Sequence, residues 1–310
     1  MKHMIAVFFG AASYGILSTF VVLAYDKGYK LQEVVGTQLL VGFLLLSLLS
    51  LAMKWKGKGQ QKQAGAAFER LNGKKVAWLM LAGVPQAATG LLYYNALKYI
   101  PASLAIILLF QFVWISLVIQ AVRQRKWPQA IMLVSLAIVI AGTVLAAGVL
   151  EEQVQAVSMT GILFGLLAAV SYTVFILISG GVLPKANPLH RTLWMVAGAL
   201  LFVSLIFPPH HLINGRLWGD LLLFGLLLGC FGAFIPPLLF AYGVPHIGEG
   251  LAGILGAVEL PVAVMLSTLV LHEQVSWLKW AGVLLVLVGI IVPEAYRRRK
   301  EKLSYQPTGC

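Results

Sequence analysis

Charged residues are scarce in this sequence. Of its 310 residues only 11% are Asp, Glu, Lys or Arg, whereas 60% are hydrophobic and the mean hydropathy is +0.89. A soluble domain carries about 25% charged residues, so the composition excludes a large soluble protein and indicates several membrane-spanning helices. Acidic residues number 11 against 23 Lys and Arg. Because the basic residues cluster between apolar segments, we expect them to face anionic lipid and not nucleic acid.

Cysteine is equally rare, with Cys230 inside an apolar segment and Cys310 at the end of the chain. Two such residues build neither a disulfide framework nor a metal cluster, and we predict no cofactor and no metal. Catalytic motifs are also missing. The pair His272-Glu273 is not HExxH, neither GxSxG nor GxxxxGK[ST] occurs, and the glycine pattern at 248–253 follows no strand. The sequence therefore predicts neither an enzyme nor an ATP-driven pump.

Ten apolar segments divide the chain, each about 18–26 residues and long enough to cross a bilayer as a helix. The connection 54–75 is polar and basic, and the first segment is too long for a typical cleaved signal peptide. We therefore predict an all-α polytopic membrane protein with ten transmembrane helices. They span residues 4–25, 33–53, 76–97, 100–121, 128–149, 158–180, 190–207, 218–243, 248–270 and 276–293.

The distribution of Lys and Arg predicts the orientation of these helices. With the N-terminus in the cytoplasm, 18 of the 23 basic residues fall in cytoplasmic segments, as the positive-inside rule requires. Both termini are then cytoplasmic. The predicted location is the plasma (inner) membrane of a bacterium, crossed several times.

A weak internal repeat relates the two halves of the chain. Residues 104–142 align without gaps to residues 251–289, a shift of 147 that pairs Gly142 with Gly289. Five helices per half make the halves point in opposite directions, which is typical of inverted-repeat transporters. We predict a first five-helix repeat over 1–150, a second over 151–296 and a basic cytoplasmic tail over 297–310.

Glu259 lies near the middle of the apolar stretch 251–270. A charge at the bilayer centre costs roughly 3 kcal/mol, so such a residue usually faces a protein interior or a water-filled cavity. Pro261 would also free the carbonyl of Ala257 from the helix. Many transporters build an ion or substrate site from a carboxylate beside an interrupted helix. A neutral, hydrogen-bonded glutamate that serves packing alone is the alternative.

Other polar and aromatic side chains recur within the apolar segments, and a transport cavity needs a few convergent polar groups and aromatic walls. The alternatives are hydroxyl and amide groups that bond within the helix bundle, and prolines that are static bends. The candidates for substrate binding or coupling are Glu259, Gln86, Gln111, Trp114, Tyr14, Tyr172, Trp194, Gln38 and Tyr93. The candidate hinges are Pro85, Pro236, Pro237 and Pro261.

The end of the second half carries the most specific pattern, ELPVAVMLSTLVLHEQVSWLKWAGVLLVLVGIIV over 259–292. It resembles the EamA-type carriers of the drug/metabolite transporter superfamily, which have a proline in the ninth helix, a later glutamate and a glycine in the last helix, here Pro261, Glu273 and Gly289. In the first half, Trp114 and Lys126 stand at the corresponding places of the proline and the glutamate. The resemblance implies export or exchange of small metabolites such as amino acids through a central cavity, without ATP hydrolysis.

The sequence thus predicts a secondary active transporter of small organic metabolites, in which Glu259 couples protons or binds the substrate. Two rival functions remain open, a membrane-embedded enzyme that acts on lipid and a passive channel. The scattered positions of His246, Glu249 and His272 are unfavourable for the enzyme, and pseudo-symmetric halves with proline-broken helices suit alternating access better than a channel. The expected partners are a small-molecule substrate and membrane lipid, and no oligomeric state is predicted.

Overall fold

A computed structural model describes residues 1–57, 71–96, 98–100, 102–125, 127–146, 158–209, 215–270 and 276–304. Over these ranges the regular structure is entirely helical, as predicted. Within these ranges, seven helical spans are long and apolar enough to cross a membrane, and three shorter apolar helices cover Phe112–Arg123, Ala130–Leu145 and Trp277–Pro293. The chain is therefore an all-α polytopic membrane protein.

Each of the ten apolar segments contains one helix or a consecutive pair of helices. A 3₁₀ turn at Arg216–Trp218 precedes α9, and a π-helical segment at Gly229–Phe234 joins α9 to α10. The helices are α1 Lys2–Asp26, α2 Leu31–Gly57, α3 Gly73–Ala96, α4 Ala102–Leu109, α5 Phe112–Gln124, α6 Ala130–Ala146, α7 Met159–Gly181, α8 Pro188–Ile206, α9 Asp220–Leu228, α10 Ile235–Ile247, α11 Glu249–Gly256, α12 Glu259–Val270 and α13 Trp277–Ser304.

Several helix ends differ from the predicted boundaries. Helix α13 continues through Pro293 to Ser304 and so includes the first part of the predicted tail. Helices α2 and α3 extend into the predicted connection 54–75. The residues Lys126, His272 and Glu273 lie outside the described part of the chain.

The fourth and ninth apolar segments are each broken near their middle. In the fourth segment, helix α4 ends at Leu109 and α5 begins at Phe112. In the ninth segment, α11 ends at Gly256 and α12 begins at Glu259. These bounds differ by the same 147 residues as the sequence repeat. The halves therefore share a backbone feature, an interrupted helix, although their sequences at the break differ.

Helices α6 and α13 pack against each other in an antiparallel pair. A Cβ atom on Gly142 would lie 2.7 Å from the backbone nitrogen of Val286, and one on Gly289 would lie 2.7 Å from Val139 Cγ2. The hydroxyl of Ser135 donates to the carbonyl of Gly289 at 2.5 Å. Since the two glycines and the two valines are each 147 residues apart, the paired contacts are those of a two-fold arrangement.

The helix ends collect on two opposite faces of the molecule. Lys27 follows the C-terminal end of α1 and forms an ion pair with Asp220 at 3.4 Å. Near the other end of α1, the ring of His3 stacks on the ring of His246 at 3.8 Å. Glu249 follows His246 by three residues and forms an ion pair with Arg123 at 2.5 Å. At 1.5 Å of rise per residue, α1 separates these groups by about 36 Å. We call them the Lys27 face and the Arg123 face.

Candidate functional site

A cavity of about 90 Å³ lies between helices from both halves of the chain. A water molecule needs roughly 10–15 Å³ of such space, so the cavity has room for several. Glu259 is the one charged residue among the described residues that line it, and no Lys, Arg, His or Asp joins it there. The side chains in the lining that carry a polar group are Tyr14, Ser18, Gln38, Gln86, Thr89, Tyr93, Tyr94, Tyr172 and Glu259.

The cavity occupies the half of the molecule toward the Lys27 face. Helix α2 contributes Val35 and Gln38 from its first turns, and α3 contributes Gln86 to Tyr94 from its second half. These parts of α2 and α3 lie toward the Lys27 face because α2 begins just after α1 ends. Glu259 stands at the middle of the pair α11–α12, at the deep end of the cavity.

The break before Glu259 shapes the backbone at this deep end. Helix α12 begins at Glu259, which places Pro261 in its first turn, where a missing N–H costs little. The prediction that Pro261 leaves the carbonyl of Ala257 free is wrong. That carbonyl accepts a hydrogen bond from the amide of Leu260 at 3.2 Å. The helix start also favours a negative charge on Glu259, since the helix dipole is positive at that end.

Helix α1 packs closely against this helix start at Gly15. A Cβ atom on Gly15 would clash with the carbonyl oxygen of Glu259 and lie 2.8 Å from Val262 Cβ. Only glycine fits this contact without a shift of the backbone. The contact brings Tyr14, the neighbour of Gly15, to the same cavity as Glu259.

Several buried polar atoms at the cavity have no hydrogen-bond partner among the described residues: Gln38 Oε1, Gln86 Oε1, the Tyr172 hydroxyl and Glu259 Oε2. Leaving a buried polar group without a partner costs about 1–3 kcal/mol. Such atoms are a small minority in folded proteins. Their convergence on one cavity is typical of a site built to bind water or a polar ligand.

The π-helical segment borders the cavity through Gly232. A Cβ atom on Gly232 would lie 2.5 Å from Gln38 Nε2, so α2 and this segment are in close contact. Pro236 and Pro237 follow, and neither has an N–H group. The carbonyl of Gly232 therefore lacks both its α-type and its π-type donor. Single-turn π segments are frequent at functional sites.

Aromatic rings separate the cavity from the Arg123 face. The ring of Tyr172 lies 4.6 Å from that of Phe112 and 5.9 Å from that of Tyr14, and Phe175 lies 5.9 Å from Phe240. We call these five residues the aromatic floor. Phe112, Phe175 and Phe240 are at most 1% exposed. Phe112 occupies the position equivalent to Glu259 in the first half, so the carboxyl group has no counterpart there.

Six of the nine predicted binding residues line the cavity, namely Tyr14, Gln38, Gln86, Tyr93, Tyr172 and Glu259. The structure does not place Gln111, Trp114 or Trp194 in the described lining. Trp114 is 39% exposed, and its indole N–H donates to Gln111 Oε1 at 2.6 Å. Gln111 lies in the break between α4 and α5, and Trp114 lies in the first turn of α5. Both residues come after Leu109, the last residue of α4 in the lining, and so lie beyond the cavity toward the Arg123 face. Trp194 on α8 packs against the hydrophobic core.

The four predicted hinge prolines lie close to the cavity in different settings. The carbonyl of Pro85 accepts hydrogen bonds from the hydroxyls of Thr89 and Ser171, at 2.7 and 2.8 Å, and so links α3 to α7. Pro236 and Pro237 are buried after the π segment, and Pro261 is buried in the first turn of α12.

Arg191 is a structural residue inside the seventh predicted helix, although its charge is one of the 18 counted for the cytoplasmic segments. It is fully buried, and its guanidinium donates to the carbonyl of Ser179 at 2.7 Å and to that of Ala241. It thereby joins the last turns of α7 to α8 and α10, where carbonyl groups favour a positive charge. The signal in the sequence was Asn187, whose side chain caps α8 by accepting from the amide of Leu189 at 2.9 Å and so places Arg191 inside a helix.

Comparison with known proteins agrees with this architecture. A sequence model of the EamA-like transporter family matches residues 1–148 and again residues 159–292, which confirms the family resemblance of the sequence. Among 29 matching chains of solved structures, one described as "Crystal structure of protein" superimposes with a TM-score of 0.70 over 93% of this chain and 97% of that chain, at 17% identity. At this identity the likeness shows the fold alone. No curated protein matches the sequence.

Loss of the Arg191 anchor is expected to destabilise the fold. Hydrogen bonds to a charged group are worth about 1.5–3 kcal/mol each, so Arg191→Gln should lower the melting temperature of the purified protein by several degrees. Lys185→Gln is the matched control, because it removes one exposed positive charge from the same face. Equal melting temperatures of the two variants and the wild type would contradict the anchor role.

Proposed function

The chain belongs to the EamA-like transporter family, and on this premise we propose that it is a secondary active transporter, an exporter or exchanger of small organic metabolites such as amino acids. Its substrate site is the cavity around Glu259. The observation that supports this most is the partnerless Oε2 atom of Glu259, buried among other partnerless polar atoms at the middle of an apolar molecule. Packing alone gives no reason to keep such a group.

The proposed topology has ten transmembrane helices, with repeats over 1–150 and 151–296 and both termini in the cytoplasm of a bacterium. The Arg123 face is then cytoplasmic and the Lys27 face is external. Three short apolar helices complete the seven longer spans to ten. The shared break at a shift of 147 and the antiparallel pair α6–α13 support inverted repeats.

A labelling experiment tests this orientation. In a background with Cys230→Ala and Cys310→Ser, single cysteines replace Trp127 or Trp277, which are 94% and 91% exposed and precede α6 and begin α13. We expect an impermeant maleimide to label Trp277→Cys on intact cells, and Trp127→Cys only after permeabilisation. The reverse pattern would show that the orientation is wrong.

The proposed mechanism is alternating access around Glu259. In this conformation the cavity lies toward the external face, whereas the aromatic floor and the ion pair of Arg123 with Glu249 lie between it and the cytoplasm. Arg123 lies in the last turn of α5 and Glu249 begins α11, so the pair joins the broken helices of the two repeats. Opening to the cytoplasm requires this pair and the floor to separate.

Glu259 links transport to protons in this scheme. Its protonation changes the carboxyl group from charged to neutral, and the two forms favour different arrangements of the helices around it. The titratable groups that surround it within the described lining are the hydroxyls of Tyr14, Tyr93, Tyr94 and Tyr172. A passive channel needs no such coupling, and a lipid enzyme needs catalytic groups that the lining does not offer.

Glu259→Gln keeps the shape of the side chain but fixes its charge at zero. In proteoliposomes, with labelled amino acids, amines and sugars as the substrate panel, we expect a proton gradient to drive accumulation in the wild type and at least tenfold less in Glu259→Gln. Asp220→Asn is the matched control, since it neutralises an exposed carboxylate on the external face. Transport by Glu259→Gln equal to the wild type over pH 5–9 would refute the role of Glu259, and counterflow absent from the wild type would refute a carrier.

Weakening the cytoplasmic ion pair should favour the inward-open state. A reporter cysteine at Ser116, which is fully buried on α5 against Gly253 of α11, should react with a thiol reagent only when these helices separate. In the background lacking Cys230 and Cys310, we expect Arg123→Gln to increase the rate severalfold. Lys27→Gln, at the external ion pair, should leave the rate unchanged or lower it. An equal rate in Arg123→Gln and its parent would contradict the gating role.

A further inference from the structure

Resting on the proposed function, we propose that the substrate of this site is a small organic cation, a primary amine with an apolar or aromatic body and no carboxylate group. The proposal rests on the groups that the cavity brings together. These are one unpaired carboxyl group, several partnerless oxygen atoms and four tyrosines, with no cationic side chain in the described lining. The proposed substrate is thus a narrower class than small metabolites in general, and we expect the site to bind zwitterionic amino acids less tightly than amines.

The charge balance of the cavity favours a cation. Glu259 is the single charged group among the described lining residues. The buried cation Arg191 is bound to backbone carbonyls toward the Arg123 face, and Arg123 is bound to Glu249. An amino acid would bring a carboxylate that finds no positive partner, and an unpaired buried charge is expensive.

The start of α12 offers that carboxylate few substitute donors. Helix N-termini bind anions through free backbone N–H groups. Here the amides of Leu260 and Val262 donate to the carbonyls of Ala257 and Val258, at 3.2 and 3.4 Å, and Pro261 has no N–H group. The positive end of the helix dipole is also compensated by Glu259 itself.

The partnerless atoms are of the kind that an ammonium group needs. An ammonium group has three donors and no acceptor. Around the cavity, Glu259 Oε2, Gln38 Oε1 and Gln86 Oε1 are buried acceptors without a donor. Gly232 lines the same cavity, and its carbonyl lacks its helical donors because of Pro236 and Pro237.

The walls of the cavity suit the body of an organic cation. Tyr14, Tyr93, Tyr94 and Tyr172 present aromatic rings to the lining, beside apolar side chains such as Leu39. Aromatic faces attract cations within about 6 Å and stack on apolar groups. An inorganic cation would leave these walls without a function, whereas an amine uses both the oxygen atoms and the rings.

The test compares ligands that share a body and differ only in charge. Phenethylamine, phenylalanine and 3-phenylpropionate are added to the purified full-length protein at pH 7.5, and the melting temperature and dissociation constant are measured. Isoamylamine, leucine and 4-methylpentanoate form a second, smaller set, so that the size of a ring does not decide the result. We expect at least one amine to bind tenfold or more tightly than its amino acid and its acid.

The variants connect this preference to Glu259. Glu259→Gln should weaken the binding of the preferred amine at least tenfold, Glu259→Asp should restore part of it, and Asp220→Asn should bind as the wild type does. An amino acid that binds as tightly as its amine would overturn the proposal. So would a stabilisation by sodium, dependent on Glu259, in the absence of any effect of the amines. In both cases, counterflow of some other solute would leave the transporter proposal standing, whereas the absence of all counterflow would refute that proposal instead.

Discussion

The fold around the cavity depends on one constraint, a carboxyl group that is buried at the middle of an apolar molecule. In a purely hydrocarbon environment, the charged carboxyl group of Glu259 would have a high free-energy cost. The neighbouring helices instead place polar atoms and the positive end of α12 beside it. That arrangement in turn requires the break between α11 and α12 and the absence of a side chain at Gly15, where α1 meets the first turn of α12. We propose that the same polar atoms also bind the substrate, because several of them have no partner within the described protein.

The two halves of the chain share their backbone arrangement but differ in the residue that each places at its helix break. The two halves share a broken helix at a shift of 147 residues, and the antiparallel pair α6–α13 repeats its glycine–valine contacts at the same shift. At the break itself the halves differ, since Phe112 stands in the first half where Glu259 stands in the second. One break therefore contributes a ring to the aromatic floor, and the other contributes the carboxyl group above it. An inverted repeat can thus carry a single charged centre without a second one that would repel it.

Features that depend on local sequence could be predicted, whereas features that depend on packing between distant helices could not. The apolar segments identify the helices because their length and composition decide them, and Glu259 stands out because a carboxylate is costly there. The break was placed at Pro261 instead of before Glu259, because the pattern does not show that the proline lies in a first turn. Trp114 was assigned to the cavity by alignment with Pro261, but a helix break changes which way the following residues face. Arg191 was counted with the cytoplasmic charges although it lies in the predicted span 190–207, because its burial against carbonyl groups of α7 and α10 depends on packing between distant helices.

In the proposed mechanism, a transported substrate occupies the space beside the carboxyl group of Glu259. An apolar carbodiimide reacts with buried carboxyl groups, and mass spectrometry gives the rate of modification at each acidic residue of the protein in membranes. With a saturating amount of a solute that the protein transports, the account predicts that modification of Glu259 slows at least tenfold, whereas that of Glu249 and Asp220 does not change. A rate at Glu259 that is the same with and without the transported solute would contradict the account.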